Sequence, residues 1–163
     1  MSQVKIYGLR EHLDPIKKQL SDIVHSCVVE ALQYPADKRA HRFFPLDRSD
    51  FFYPAGRTDR YTIIEFSMFE GRSVEAKKHL IRLLFERVQK ECGIAPQDLE
   101  MTIFETPRHN WGFRGLPGDL PGKYAAAVVA FMKPSPVAQN LWFSRHGSSV
   151  PKLFPTFAST INT

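Results

Sequence analysis

The sequence contains one pattern twice, and this internal repeat is the feature that most limits what the chain can fold into. Each copy has a strand, a helix, a Pro-x-Asp turn and a second strand. Two turn residues recur 61 positions later in the chain: Pro35 as Pro96, and Asp37 as Asp98. Because repetition at a fixed period outranks local propensity as evidence for architecture, the sequence predicts a tandem β-α-β repeat.

Apolar periodicity locates the elements within each copy. The alternation around Val4 and Ile6 is typical of a half-buried strand. Apolar residues at helical spacing predict two helices with one buried face each, the first beginning at Asp14-Pro15 and the second at Ser73. The predicted elements are a strand around 4–6, a helix over 14–33, a strand over 41–44, a strand over 61–69, a helix over 73–91 and a strand over 99–105.

These elements predict an α+β fold with a four-stranded sheet and both helices on one face of it. Residues 107–122 are rich in Gly and Pro and are expected to be loop. We assign residues 1–122 to the repeat domain. Residues 123–163 have no counterpart in the repeat and combine several prolines with scattered aromatic residues. An inter-subunit arm and a disordered extension are the two alternatives for this segment.

Composition excludes several classes of function. The chain has no run of about 18 apolar residues, which a membrane-spanning helix requires, so we expect no membrane partner. Its start has no apolar signal segment, so we expect a cytoplasmic location. The net charge of +5 is compatible with an anionic substrate. No stacking platform for bases accompanies the basic residues between 38 and 60, so we do not expect a nucleic acid partner.

Cysteine and histidine give no sign of a metal or redox centre. Cys27 and Cys92 lack a C-x-x-C partner, and we expect both to be buried free thiols. The six histidines have no metal-ligand spacing. The prediction from the residues is therefore a site without a metal.

The repeat itself predicts where a site would lie. A pseudo-twofold axis through the sheet would set the two leading strands side by side and antiparallel. The start of the first strand at Ser2 would then lie close to the end of the other strand, near Arg72 and the helix start at Ser73. Helix N-termini favour anions, and an arginine binds a carboxylate with two parallel donors. The sequence therefore predicts a small-carboxylate pocket beside an α-amine that could act as a base or form a Schiff base.

Five short motifs connect this pattern to a known family. They are S-Q-V-K-I at 2–6, Y-P-A-D-K-R at 34–39, E-G-R-S at 70–73, G-I-A-P-Q-D at 93–98 and W-G-F at 111–113. With these motifs the chain resembles the tautomerase superfamily, which shares the fold of macrophage migration inhibitory factor, and most of all its branch around malonate semialdehyde decarboxylase. The resemblance covers residues 2–118, and the motifs are specific as a set rather than singly.

The resemblance implies a homotrimer that acts on small 2-oxo acids, or on related three-carbon acids, without a cofactor. It also implies roles for individual residues. Ser2 stands where the family has its catalytic amine, so its nitrogen is the candidate base. Arg72 is the candidate carboxylate ligand. The remaining candidate substrate-binding residues are Arg39, Lys38, Trp111 and Phe113.

The chain departs from the family at two of these positions and at Glu70. Ser2 replaces the family's catalytic proline, Lys38 stands at the position of an aspartate, and Glu70 replaces one of two arginines. Three hypotheses follow: a tautomerase-class isomerase or related lyase; a non-enzymatic trimer that lost activity with the proline; and a ferredoxin-like β-α-β-β-α-β binding module. Removal or retention of Met1 separates the first two, because it decides whether Ser2 carries a free amine.

Overall fold

The elements of the computed structural model follow the repeat. The structure describes residues 2–113 and 115–120. Its strands are β1 (Ser2–Leu9), β2 (His41–Leu46), β3 (Thr62–Phe69), β4 (Leu99–Thr106), β5 (Gly112–Phe113) and β6 (Leu116–Pro117). Its helices are α1 (Arg10–Leu13), α2 (Lys17–Leu32) and α3 (Val74–Cys92), with single 3-10 turns at Asp14–Ile16, Pro96–Asp98 and Arg108–Asn110.

The sheet has the symmetry that the repeat predicts. Its strand order is β2-β1-β3-β4. β1 runs parallel to β2 and β3 parallel to β4, while the central pair β1 and β3 is antiparallel. In that central pair Ser2 lies opposite Met68, so the start of β1 meets the end of β3. The prediction that the leading strands of the two halves pair antiparallel is confirmed.

Both helices pack on the same face of the sheet, and the core lies between them and the strands. Alternate residues of β1 and β3 face the helices, and Ile6, Ile64 and Phe66 among them are fully buried. Leu20 and Val24 of α2 and Leu80 and Leu84 of α3 belong to the same apolar cluster, as do the two cysteines, which are free thiols. The predicted α+β class and the buried thiols are confirmed.

The first helical segment begins earlier than the sequence predicts. Helical structure starts at Arg10, directly after β1, and passes through the 3-10 turn at Asp14–Ile16 before α2 begins at Lys17. Pro15 explains the interruption, because proline has no N–H to donate to the helical hydrogen-bond ladder. Asp14 therefore does not start the helix; its carboxylate binds Lys17 at 2.5 Å. Ser73 is the N-cap of α3 as predicted, and its hydroxyl accepts a hydrogen bond from the Ala76 amide.

A long connection between β2 and β3 is fixed to the sheet by its aromatic residues. Phe51 and Tyr61 stack with ring centroids 5.7 Å apart and, together with Leu9, form a small apolar cluster separate from the main core. Asp98 anchors the same connection, because its buried carboxylate accepts hydrogen bonds from the amide and the hydroxyl of Thr58, both at 2.7 Å. Phe52 points into solvent and is 87% exposed.

The chain divides into two compact units, Met1–Trp111 and Gly112–Thr163. In the second unit, the segment predicted as loop contains a small hairpin in which β5 and β6 pair antiparallel. The predicted boundary between 122 and 123, and the two alternatives for residues 123–163, lie outside the described residues. Within the described part of the chain, no helix is both long and apolar enough to cross a membrane.

Candidate functional site

A cavity of about 300 Å³ lies where the start of β1 meets the end of β3. Its walls combine a backbone nitrogen, a phenol, two guanidinium groups and one carboxylate with apolar side chains. The lining residues are Ser2, Leu32, Tyr34, Met68, Phe69, Glu70, Gly71, Arg72 and Arg108. The structure therefore brings Ser2 and Arg72, two of the predicted site residues, into one cavity.

The turn after β3 positions Arg72. The strand ends at Phe69, and Gly71 has a φ of +106°, a backbone conformation that strongly favours glycine. Arg72 follows immediately and precedes the N-cap Ser73, so its side chain leaves the backbone at the N-terminus of α3. The free N–H groups and dipole of that helix end add to the positive potential of the guanidinium.

Among the described residues, Arg72 has no carboxylate partner. Within residues 2–113 and 115–120, its guanidinium makes no hydrogen bond or ion pair, and neither does the side chain of Glu70 beside it. By contrast, Arg39, Arg48 and Arg87 in the same part of the chain are paired with carboxylates. An exposed, unpaired arginine that lines a cavity is available to bind an anionic ligand.

A second cation enters the cavity from the end of β4. The guanidinium carbon of Arg108 lies over the ring of Phe69, 5.6 Å from its centroid, which is within the range of a cation–π contact. Trp111 packs edge-on against the same ring at 5.1 Å, and its indole N–H donates to the Thr106 hydroxyl at 2.6 Å. Phe69 thus forms the aromatic wall of the cavity, while Trp111 contacts that ring and is not among the lining residues.

Tyr34 brings a hydroxyl group to the start of β1. The Ser2 nitrogen donates a hydrogen bond to the Tyr34 hydroxyl at 3.2 Å. Ser2 itself is 5% exposed, so this contact is largely protected from water. The phenol and the nitrogen are therefore neighbours, and both residues line the cavity.

The structure does not bring Arg39 or Lys38 into this cavity. Arg39 donates to the Asp22 carboxylate at 2.6 Å. Hydrogen bonds from Lys18 and then from Arg39 lower the pKa of Asp22 from 3.8 to about 2. Asp22 lies ten residues before Leu32 on α2, which is about 15 Å along the helix axis. Lys38 is exposed in the turn after α2. The predicted roles of both residues in binding substrate stay predictions.

Phe113 lies in the second compact unit, where it pairs with Leu116 in the β5–β6 hairpin. Its predicted role in the pocket wall stays a prediction. Trp111 belongs to the first unit, and its contact with Phe69 is described above.

One group of possible metal ligands occurs among the described residues. Glu11, His12 and Asp59 place their ligand atoms within 4.8 Å of one another. Arg48 binds both carboxylates of this group, Asp59 at 2.7 Å and Glu11 more closely. The guanidinium already supplies the positive charge that a metal ion would bring, so this cluster is an ion-pair network.

Sequence reasoning missed two polar groups of the cavity, Tyr34 and Arg108. The predicted topology could have indicated Tyr34. In a parallel β-α-β crossover the C-terminal end of the helix lies near the start of the first strand, and Tyr34 directly follows that end of the helix. Arg108 carried no such signal, since it lies in a 3-10 turn within a segment predicted only as loop.

The chain is similar in sequence to known tautomerases. Residues 38–114 match the family model described as tautomerase enzyme. The chain is 33% identical over 101 residues to the probable tautomerase YrdN of Bacillus subtilis, covering 59% of this chain and 78% of that protein. It is 27% identical over 101 residues to the probable tautomerase YusQ of the same organism, covering 59% and 80%.

Solved structures show the same fold. A malonate semialdehyde decarboxylase, solved as wild type, as a mutant and in inactivated form, superposes with a TM-score of 0.64 at 24% identity, covering 73% of this chain and 99% of that one. The malonate semialdehyde decarboxylase FG41, solved with the inhibitor 3-bromopropiolate, superposes with a TM-score of 0.63 at 25% identity, covering 77% and 95%.

Proposed function

The chain belongs to the tautomerase family, and on this premise we propose that it catalyses keto–enol interconversion, or a related lyase reaction, of a small 2-oxo carboxylic acid. The observation that carries the proposal is the cavity that Ser2 and Arg72 share. The inhibitor named with the FG41 decarboxylase, 3-bromopropiolate, is itself a small carboxylate, which supports this ligand class.

Arg72 is the proposed carboxylate ligand. Its guanidinium offers two parallel donors to a carboxylate, and the N-terminus of α3 adds a favourable dipole. Arg108 is the second cation of the cavity, from a different loop. Glu70 also lines the cavity, and its carboxylate would repel a ligand carboxylate bound next to it.

The nitrogen of Ser2 is the proposed base, with Ser2 as the first residue of the mature chain. A free α-amine has a pKa of about 7.7–8.0. Burial and nearby cations disfavour its protonated form, which keeps a larger share of the amine basic near neutral pH. This primary amine replaces the secondary amine of the family's proline.

The active assembly is proposed to be a homotrimer. Several solved relatives are fused 4-OT trimers, at 20–22% identity and TM-scores of 0.61–0.63. The outer face of this sheet, opposite the helices, carries exposed aromatic side chains, with Phe44 37% and Phe104 49% exposed. Such a face is typical of a surface that other subunits cover.

Ketonisation of phenylenolpyruvate, followed by absorbance, tests the enzymatic proposal. We expect turnover by the wild type, and we expect the Arg72→Gln variant to lose on the order of 100-fold in kcat/KM, because a charge-assisted bidentate contact is removed. Arg82→Gln is the matched control, since Arg82 is an exposed arginine of α3 outside the cavity.

Equal rates for the wild type and Arg72→Gln would remove Arg72 from the site. Intact mass spectrometry accompanies the assay. A chain that retains Met1 and shows no turnover would favour the alternative of a non-enzymatic trimer that lost activity with the proline.

A further inference from the structure

We propose that Tyr34 is a second catalytic residue, whose hydroxyl exchanges protons with the Ser2 nitrogen and delivers one to the carbon of the substrate. The inference rests on the proposed function above and names a second group for the same reaction. Keto–enol interconversion moves one proton between an oxygen and a carbon that are two bonds apart. Two proton-carrying groups placed side by side serve this transfer better than one.

The contact between the two groups is direct. The backbone N–H of Ser2 donates to the Tyr34 hydroxyl at 3.2 Å. This nitrogen is an amide in the chain with Met1 and becomes the α-amine once Met1 is removed, at a distance that allows proton exchange after slight tightening on ligand binding. Both residues line the same cavity. Among the described residues that line this cavity, Tyr34 has the one side-chain hydroxyl besides that of Ser2 itself. Because it already accepts a hydrogen bond from the Ser2 nitrogen, it is the group best placed to exchange protons with that nitrogen.

A left-handed residue at the end of α2 directly precedes Tyr34. Gln33 has a φ of +49° and ends α2 as a left-handed C-cap. It is the one non-glycine residue with positive φ in the described part of the chain. The amide of Tyr34 then donates back to the Val29 carbonyl at 3.2 Å. Such a left-handed residue with a return hydrogen bond is a common helix ending, and it sets the backbone position of Tyr34 directly after α2.

The positions of the two groups give a balanced proton transfer. The Ser2 amine takes the proton of the enol hydroxyl. Tyr34 gives its hydroxyl proton to the adjacent carbon, which converts the enol to the ketone. The protonated Ser2 nitrogen then returns a proton to the Tyr34 oxygen along the existing hydrogen bond, in which the nitrogen is already the donor. Both protein groups end as they began, and no co-reactant is needed.

Packing alone is the alternative explanation for Tyr34, because its ring also contacts the main apolar cluster. The two explanations separate in the Tyr34→Phe variant, which keeps the ring and removes only the hydroxyl. The matched control is Tyr53→Phe, which makes the same change in the connection between β2 and β3, where Tyr53 binds Asp59.

Kinetics and a direct titration test the inference together. In Tyr34→Phe we expect kcat for ketonisation to fall on the order of 100-fold, which is within the usual contribution of a general acid. We expect the dissociation constant of a non-reacting carboxylate, such as propionate, to stay within about twofold of the wild-type value. We also expect a lower pKa of the Ser2 amine, measured by nitrogen NMR, because the variant loses an acceptor for the charged form. Tyr53→Phe should change none of these values.

The outcomes distinguish this inference from the proposed function. Turnover in the wild type with an unchanged kcat in Tyr34→Phe would overturn the role of Tyr34 and leave the tautomerase activity standing. An amine pKa that does not move in the variant would overturn the inference even in a protein without turnover on the tested substrate. Intact mass showing a retained Met1 would also overturn it, because Ser2 would then carry an amide.

Discussion

At the scale of single residues, His41 shows how the fold sets a side chain's chemistry. It begins β2, and its Nδ1 lies 3.0 Å from the Ser21 hydroxyl. Burial, and then the charges of Arg39 and His25, lower the pKa of His41 from 6.5 to about 4. The unfolded chain therefore binds a proton near pH 6.5 that the folded protein does not bind until about pH 4.

This difference predicts acid destabilisation. Above pH 6.5 the histidine is neutral in both states and has no effect. Between pH 6.5 and about 4 the unfolded state gains the proton first, so we expect stability to fall by about 1.4 kcal/mol per pH unit from this group. Thermal unfolding as a function of pH measures the effect. In His41→Gln the free energy of unfolding should fall less steeply with decreasing pH over this range. A pH dependence as steep as that of the wild type would contradict this role of His41.

The residues of the site differ in how far the sequence could predict them. Ser2 and Arg72 meet because of strand pairing, which the repeat already specifies. Tyr34 and Arg108 depend on how a helix ends and how a loop turns, and local sequence constrains both weakly. Arg39 was assigned to substrate binding by family resemblance, whereas in this chain a nearby carboxylate, Asp22, binds its guanidinium.

At the scale of elements, the two Pro-x-Asp turns have taken different roles despite their equal spacing. Asp98, after Pro96, is 2% exposed and binds Thr58 in the connection between β2 and β3. Asp37, its counterpart after Pro35, is exposed. The repeat therefore predicts the backbone of both turns, but the burial of each carboxylate depends on a connection that exists only between the two copies.

Replacement of Asp98 by alanine should loosen this connection. The variant leaves the amide and hydroxyl of Thr58 without their acceptor, and we expect a loss of about 2 kcal/mol or more in the free energy of unfolding, since hydrogen bonds to charged groups are worth about 1.5–3 kcal/mol. Urea unfolding measures this loss. The control is Asp50→Ala, an exposed aspartate of the same connection. Equal effects of the two changes would show that Asp98 is not the anchor.

Element boundaries were predicted well where periodicity was long and less well near proline. The strand predicted at 61–69 and the helix predicted at 73–91 agree with β3 and α3 within one residue at each end. The predicted start of the first helix is wrong. Asp14-Pro15 is typical of a helix N-terminus, but these two residues lie inside a helical segment that begins at Arg10.

At the scale of the whole molecule, the sheet has one covered and one uncovered face. The helices cover the inner face. On the outer face Tyr7 stacks on Phe44 with ring centroids 4.8 Å apart, and Lys5 and Tyr7 both contact the Glu65 carboxylate. The aromatic groups of this face give it apolar area that a separate subunit would remove from water.

A charge placed on this face should disrupt the proposed trimer. We expect light scattering to give about 56 kDa for the wild type, three times the chain mass of 18.7 kDa, and a smaller mass for Phe104→Glu, because burial of an unpaired carboxylate is costly. Gln89→Glu adds the same charge on the helix side, where Gln89 is exposed, and should leave the trimer intact. A wild-type monomer, or a trimer that persists in Phe104→Glu, would contradict this assignment of the interface.

A crystal structure with a bound small 2-oxo acid, such as pyruvate, would show whether Ser2 and Arg72 form one substrate site. We expect the ligand carboxylate within hydrogen-bond distance of the Arg72 guanidinium and the 2-oxo group directed toward the Ser2 nitrogen and the Tyr34 hydroxyl. A ligand bound elsewhere, with the cavity between Ser2 and Arg72 empty in every subunit, would contradict it.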